Sequence, residues 1–376
     1  MVDYANLSRD ILQEIIKFLS FSDYIRLSVV CSAWHEVAKE RHHFLQKQLP
    51  WLISFNNDCS RFLNLSEEKV YQIEISELHG RLCVGSSHGW LITIDIDLNM
   101  NLLDPFSKAQ VKLPQLEYDA SNALHKHFYE SFRLHEPEIR RDMFIYKGVL
   151  SGNPYKSFDY IVIVILFGNF KLGFWRPGDL IWTTIDSDFF VEDVIWYNGA
   201  FYVVGAHGQV CLVELGMNHK LIEISSTCDN DYLRVNRHLE GMEKYLVDFM
   251  GDLVLVYRHY IEGNNDEDDD YHTRSFMLFK LDQKVNKFIE LKSINNNILV
   301  LGANHAMLIP TTTVVDKTKS NIIYFSDDYK YSKHKYGYND SGVYNIRDQS
   351  VTLFPLRNIY HQAKQPIFLD VSHGSF

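Results

Sequence analysis

VEDVIWYNGAFYVVGAHGQVCLVEL, residues 191–215, reads as three strands joined by two tight turns. Val, Ile, Trp, Tyr and Phe dominate its runs, and these side chains suit extended backbone. Asn198-Gly199 supplies the two left-handed residues that a two-residue hairpin turn needs. His207-Gly208 punctuates the next break. The same plan recurs in GDLVLVYRHY (251–260) and FMLFKLDQKVNKFIEL (276–291), where Asp282-Gln283 makes the turn.

Outward from this stretch, strand signals run from Trp51 to Phe354 with turn residues between them. Roughly twenty strands with no regular helix between them exclude a doubly wound α/β fold. A propeller or a large sandwich remains, and the loose repeat favours a propeller of about six or seven blades. The repeat lacks the paired signature residues of kelch or WD blades. The aliphatic run YIVIVILF (160–167) is too short to span a bilayer and reads as a buried strand.

Composition narrows the function classes. The chain has 376 residues, enough for one large and one small domain, and its apolar content of 46% supports a sizeable core. A formal net charge of −11 argues against nucleic acid as a partner. Glu262, Asp266, Glu267, Asp268, Asp269 and Asp270 crowd into one acidic loop. Cys31, Cys59, Cys83, Cys211 and Cys228 are odd in number and lack a CxxC pair, which suits a reducing compartment rather than a disulfide framework or zinc site. The N-terminus has neither a basic region nor an apolar run, so the expected location is cytoplasmic, nuclear or both, with no membrane partner.

One part of the chain breaks the β pattern. In NLSRDILQEIIKFLSFSDYIRLSVVCSAWHEVAKERHHF (6–44), Leu7, Ile11, Ile15 and Phe18/Leu19 recur at helical spacing. Ser8 can cap this helix, Ser22-Asp23 can start a second and Ser32 can open a third carrying Trp34 and Val37. Three helices this short cannot bury all their apolar faces among themselves, so part of the surface is expected to meet another protein. Domains are expected at residues 1–45, helical, and 46–376, β, with residues 41–50 as the link.

The order Leu7, Asp10-Ile11-Leu12, Ile15, Leu19, Asp23, Leu27, Val30-Cys31 and Trp34 resembles an F-box. Ser8 stands where that family usually has proline. The resemblance implies docking on a Skp-type adaptor, and through it on the cullin of an SCF ubiquitin ligase. Leu7, Ile11, Leu12, Ile15, Leu19, Leu27, Val30 and Trp34 are the residues expected to carry the F-box fold and this contact. A second resemblance runs from about residue 50 to about 355 through PWLI (50–53), GSSHGWL (85–91), LLDPFS (102–107), VKLP (111–114), WTTID (182–186), VEDVIWYNGAFYVV (191–204), YLVDFMGDLVLVYR (245–258), NIIYFSDD (321–328) and GVYNI (342–346). Together these are similar to the KIB-type β-propeller found behind an F-box in a large plant family. Asp104 replaces a usual Asn, residues 118–141 are long, and QPIFLDVSHGSF (365–376) keeps only a trace of the family's ending. The implied role is a non-catalytic receptor that brings a protein target to the ligase through the propeller.

Other patterns carry weaker chemistry. Gly85-Ser86-Ser87-His88-Gly89 satisfies G-x-S-x-G, but a nucleophile elbow needs a helix after it and WLITIDID reads as a strand. Asp266, Asp268 and Asp270 have calcium-loop spacing without the required Gly or closing Glu. His125, His127, His135 and Glu138 accompany a short amphipathic pattern and form no paired-ligand motif. YKYSKHKYGY (329–338) interleaves aromatic and basic residues in a segment between strands and reads as a rim loop suited to a protein partner. No catalytic, cofactor or metal residue is expected. Two alternatives stay open: an interaction scaffold with a degenerate F-box, and a propeller enzyme with carboxylates in its channel.

Overall fold

Alternation along single strands builds the architecture. In VIVIL, Val162, Val164 and Leu166 enter one buried cluster while Ile163 and Ile165 enter the next. A strand buried on both faces is usual for parallel sheets. Here it belongs to an antiparallel sheet that is covered on each face by a neighbouring sheet. A computed structural model describes residues 7–16, 18–19, 23, 27, 30–39, 49–55, 60–66, 69–105, 107–116, 132, 134–166, 168, 171–225, 242–262, 271–302, 304–311, 320–328, 340–354 and 366–369.

Six sheets form a ring of blades, which fixes the expected six or seven at six. Blade 1 holds β1 (Trp51–Phe55), β2 (Ser60–Asn64) and β3 (Lys69–Ile73). Blade 2 holds β4 (Leu82–Ser87), β5 (Trp90–Ile94), β6 (Met100–Leu103) and β7 (Gln110–Lys112). Blade 3 holds β8 (Ile145–Leu150), β9 (Val162–Leu166), β10 (Lys171–Trp175) and β11 (Thr183–Asp186). Blade 4 holds β12 (Val191–Tyr197), β13 (Ala200–Gly205), β14 (Val210–Glu214) and β15 (Lys220–Ser225). Blade 5 holds β16 (Met242–Phe249), β17 (Asp252–Glu262), β18 (Tyr271–Asp282) and β19 (Lys287–Leu291).

Blade 6 departs from this plan. It has five strands: β20 (Ile298–Leu301), β21 (Ala306–Ile309), β22 (Ile322–Phe325), β23 (Gly342–Asn345) and β24 (Ser350–Leu353). β21 folds back to become the innermost strand, so β20 pairs parallel with β22. The ring closes through β25 (Ile367–Leu369), which pairs antiparallel with β1 as the innermost strand of blade 1. Asn304 locks this closure by exchanging two hydrogen bonds with the backbone of Phe368.

The core is six seams, one between each pair of neighbouring blades. The helices α1 (Arg9–Ile16) and α2 (Ser32–Lys39) join the seam of blades 1 and 2. Leu12, Ile16, Leu27, Val37 and Ala38 are buried in one cluster with Trp51, Ile75, Leu78, Ile367 and Leu369. Part of the apolar surplus of the helices is thus taken up by the propeller itself. Asp23 and Leu27 have helical backbone, and the rest of the expected second helix lies outside the described residues. A further helix, α3 (Pro137–Phe144), leads into β8 just after the segment read as amphipathic.

The innermost strands of blades 2 to 5 run side by side in one direction, so the ring has an end where they start and an end where they finish. Gly85 of β4 meets Gly148 of β8 so closely that a Cβ on Gly85 would lie 2.1 Å from the Gly148 carbonyl oxygen. The first glycine of the apparent nucleophile motif is therefore a packing residue. Gly85→Ala is expected to destabilise the chain by about 1–3 kcal/mol, checked by urea unfolding.

Candidate functional site

The helical unit divides the eight expected contact residues into three groups. Leu12 and Leu27 are buried in the seam. Leu7, Ile15, Leu19 and Trp34 are partly buried and pack against it. Ile11 and Val30 stand exposed, and Phe18 joins them at 86% exposure. Ile16, fully buried, and Phe18 were not among the expected residues. Both lie on the helical repeat: Ile16 is four residues after Leu12, and Phe18 is seven after Ile11.

The channel shows a second arrangement. Bulges interrupt β4, β8 and β12 at matching places, between Cys83 and Gly85, Ile145 and Lys147, and Val191 and Asp193. A bulge re-aims the side chains beside it. Here those side chains are Tyr146, Lys147, Glu192 and Asp193, which line the axis with Glu243, Lys244, Tyr245 and Asp328. Lys147 Nζ donates to Asp193 Oδ1 at 2.5 Å, with both side chains buried. The same carboxylate accepts the backbone N–H groups of Val194 and Leu246. Lys244 Nζ donates to Glu192 at 2.9 Å. Burial pushes the Glu192 carboxyl upward, and Lys244 opposes that shift.

Acids do converge here, as a propeller enzyme would require. They are occupied by Lys147, Lys244, Arg258, tyrosine hydroxyls and backbone N–H groups, and the space among them is only 10 Å³. That holds about one water and no sugar or other substrate. Among the described residues no His, Cys, Asp and Glu group has metal-site geometry. Asp266, Asp268, Asp270, His125 and His127 lie outside the described residues. The apparent nucleophile motif is a hairpin: β4 passes through His88-Gly89, both at positive φ, straight into β5. Ser87 Oγ accepts the Leu150 N–H. Cys31, Cys83 and Cys211 are free thiols, and burial raises Cys83 to about 12 and Cys211 to about 11, so neither buried thiol is a poised nucleophile.

Blades 5 and 6 are joined by a buried polar knot. Arg258 of β17 is fully buried and donates to Asp328 Oδ1 at 2.6 Å, to Asp340 Oδ2 at 3.0 Å and to the carbonyls of Ser326 and Asp340. Tyr245 and Tyr260 donate to Asp328, and Thr273 donates to Asp340 through its hydroxyl and its N–H. Burial works against the guanidinium charge, but the surrounding acids and phenols outweigh it and hold Arg258 protonated. Asp327 accepts from Tyr271 and from the Asp340 N–H. The knot ties residues 326–328 to residues 340–341, the two ends of the Tyr- and Lys-rich segment read as a rim loop. Residues 329–339 lie outside the described residues.

Burial lifts the Asp327 carboxyl from its ordinary 3.8 to about 7, while Arg258 opposes the shift. The folded state therefore binds a proton that the unfolded chain releases at lower pH. Its contribution is full below about pH 4 and is lost as pH rises through about 7. Asp327→Asn fixes the neutral form. The stability of wild type relative to this variant is expected to fall between about pH 5 and pH 8, checked by urea unfolding at both.

On the finishing side of the ion pairs the channel widens into a cavity of 640 Å³. Its wall includes Trp196, Leu246, Met250, Met307, Leu308 and Pro310, with His88, His305 and Asp248 as polar members and Lys147 at the floor.

Family models place these features. An F-box domain matches residues 5–45 and the KIB1-4 beta-propeller matches residues 62–345. The chain is 23% identical over 362 residues to the F-box/kelch-repeat protein KIB1 of Arabidopsis thaliana, covering 92% of this chain and 82% of that protein. It is 32% identical over 120 residues to the F-box protein At1g10110 of the same plant, covering 31% of this chain and 29% of that protein. Among solved structures, YCF48 from Cyanidioschyzon merolae aligns with a TM-score of 0.29 and 12% identity, covering 64% of this chain and 70% of that one. A six-bladed ring with helices set ahead of it, matched over most of its length, makes the chain a member of the KIB1-4 beta-propeller family with an N-terminal F-box domain.

Proposed function

We propose that the chain is the target-receptor subunit of an SCF-type ubiquitin ligase and performs no bond chemistry. Its F-box would dock on a Skp-type adaptor, and its propeller would hold a protein target near the charged enzyme carried by the cullin. Proximity then raises the effective concentration of target lysines. The observation that carries this reading is the exposure of Ile11 on α1, and of Phe18 and Val30 beside the helices, where Leu12, Ile16, Leu27, Val37 and Ala38 are already buried. Burying three such side chains is worth about 1.5–3 kcal/mol each, against roughly 4–15 kcal/mol for association. The half-buried Leu7, Ile15, Leu19 and Trp34 must therefore add to the contact.

The test is co-purification with a Skp-type adaptor and measurement of its affinity. An Ile11→Asp, Phe18→Asp double variant is expected to bind at least about 100-fold more weakly, with an unchanged unfolding midpoint because both residues are exposed. Wild type that fails to bind the adaptor, or a double variant that binds as well, defeats the reading.

A further inference from the structure

The two ends of the ring differ in the apolar side chains they show. The turns that leave the innermost and third strands lie at the finishing end. Phe158, Leu180, Ile181, Met217, Met250 and Val285 are exposed there, on blades 3, 4 and 5. Among the described residues, the starting end shows Ile96, Leu134 and Ile261. The finishing end is also where the 640 Å³ cavity opens, so the exposed apolar residues stand around a concavity.

Met250 joins rim and cavity, and it is out of place by ordinary turn chemistry. Three hairpins leaving innermost strands have both central residues at positive φ: His88-Gly89, Asn198-Gly199 and Met250-Gly251. Asn198 occupies its position at little steric cost, whereas methionine at φ 56 does not. The side chain held there is 70% exposed and lines the cavity mouth beside Met307 and Trp196. Methionine adapts to irregular apolar partners. Asn297 Nδ2 donates to its sulfur at 3.7 Å, which holds the side chain at the mouth of the cavity.

Charge narrows the occupant. Lys147 at the floor is met by Asp193, so it offers no free cation to an acidic group. Among the described residues Asp248 is the one carboxylate on the wall, and it accepts the Gly251 N–H of its own turn. The volume takes a few large side chains, and the apolar residues around it sit singly on separate turns rather than as a flat stripe. That geometry suits an extended segment better than a helix face or a second ring.

We propose that the finishing end is the target-docking face, and that it takes an extended, uncharged segment of the target with one large apolar side chain in the central cavity. This rests on the receptor reading above, since it names where and how the propeller holds its target. The test is selection of a random displayed-peptide library on the purified full chain. Enriched peptides carry a Phe, Leu, Ile or Met anchor among uncharged residues. Their affinity falls at least about tenfold for Met250→Glu and for Trp196→Ala, and is unchanged for Ile96→Glu at the opposite end. Met250→Asn separates docking from folding: asparagine relaxes the turn, so this variant keeps or raises the unfolding midpoint while weakening the peptide by a similar factor. Peptides that bind Met250→Glu and Met250→Asn as well as wild type, enrichment of charged peptides only, or no enrichment, each overturn the proposal. Adaptor affinity of the same variants stays at the wild-type value. A wild-type chain without adaptor affinity would strike the ligase reading and leave the peptide result standing.

Discussion

Arg258→Met is expected to destabilise the folded chain by about 3–5 kcal/mol, seen as a lowered urea midpoint with an unchanged slope. The side chain is buried without residue, and Asp328 and Asp340 face it from the neighbouring blade. Removing it leaves two buried carboxylates without their cation, and burial has already raised the nearby Asp327. Methionine fills much of the volume, so the loss reports charge and hydrogen bonding more than a cavity. Adding Asp328→Asn and Asp340→Asn to Arg258→Met is expected to recover part of the loss, since neutral amides cost less to bury than lone carboxylates. A single variant within about 1 kcal/mol of wild type would show that the knot is not held by ion pairing.

Removing residues 366–376 is expected to abolish the sharp unfolding transition altogether. Ile367, Phe368 and Leu369 are buried to within 2% and feed two seams, those of blades 1 and 2 and of blades 6 and 1. Truncating core side chains of this size costs about 2–5 kcal/mol each, which together rivals the whole stability of an ordinary domain. Loss of the strand also bares the edge of β1 and opens the ring. Broad, non-cooperative unfolding with dye binding to exposed apolar surface checks this. A truncated chain that unfolds sharply at the wild-type midpoint would mean that β25 is not the closing strand in solution.

Legibility in the sequence followed burial. Inner and middle strands such as β9 and β13 were readable because both faces are covered and aliphatic residues run together. The tight hairpin at Asn198-Gly199 was readable because its backbone demands those residues. Two outer strands escaped: Lys220–Ser225 and Gln110–Lys112 are half exposed and carry little apolar pattern, whereas the outer strand Lys287–Leu291 was readable from its repeat. Ser60–Asn64 escaped because Ser, Arg and Asn dilute its two apolar residues. The crossing of β20 beside β22 depends on a fold-back that no local residue specifies.

The helical unit was legible as a type, through its spacing. How its face divides between seam and solvent was not, because that depends on residues up to Leu369. The polar knot and the channel ion pair did leave a signal. Arg258 within VLVYRHY, Lys147 within IYKGVL and Asp193 within VEDVIW are charges set inside strands that read as buried, and such charges must find partners. Spacing could flag them but could not pair them across blades.

The closing strand also sets an order of events in time. Leu12 and Ile16 share their cluster with Ile367 and Leu369, at opposite ends of the chain. During synthesis the helices leave the ribosome first, and the seam beneath them stays incomplete until the last described strand has followed. Pairings across such a sequence separation form slowly. A newly made chain therefore leaves the seam face that carries Leu12 and Ile16 incompletely covered until β25 has emerged and the ring shuts.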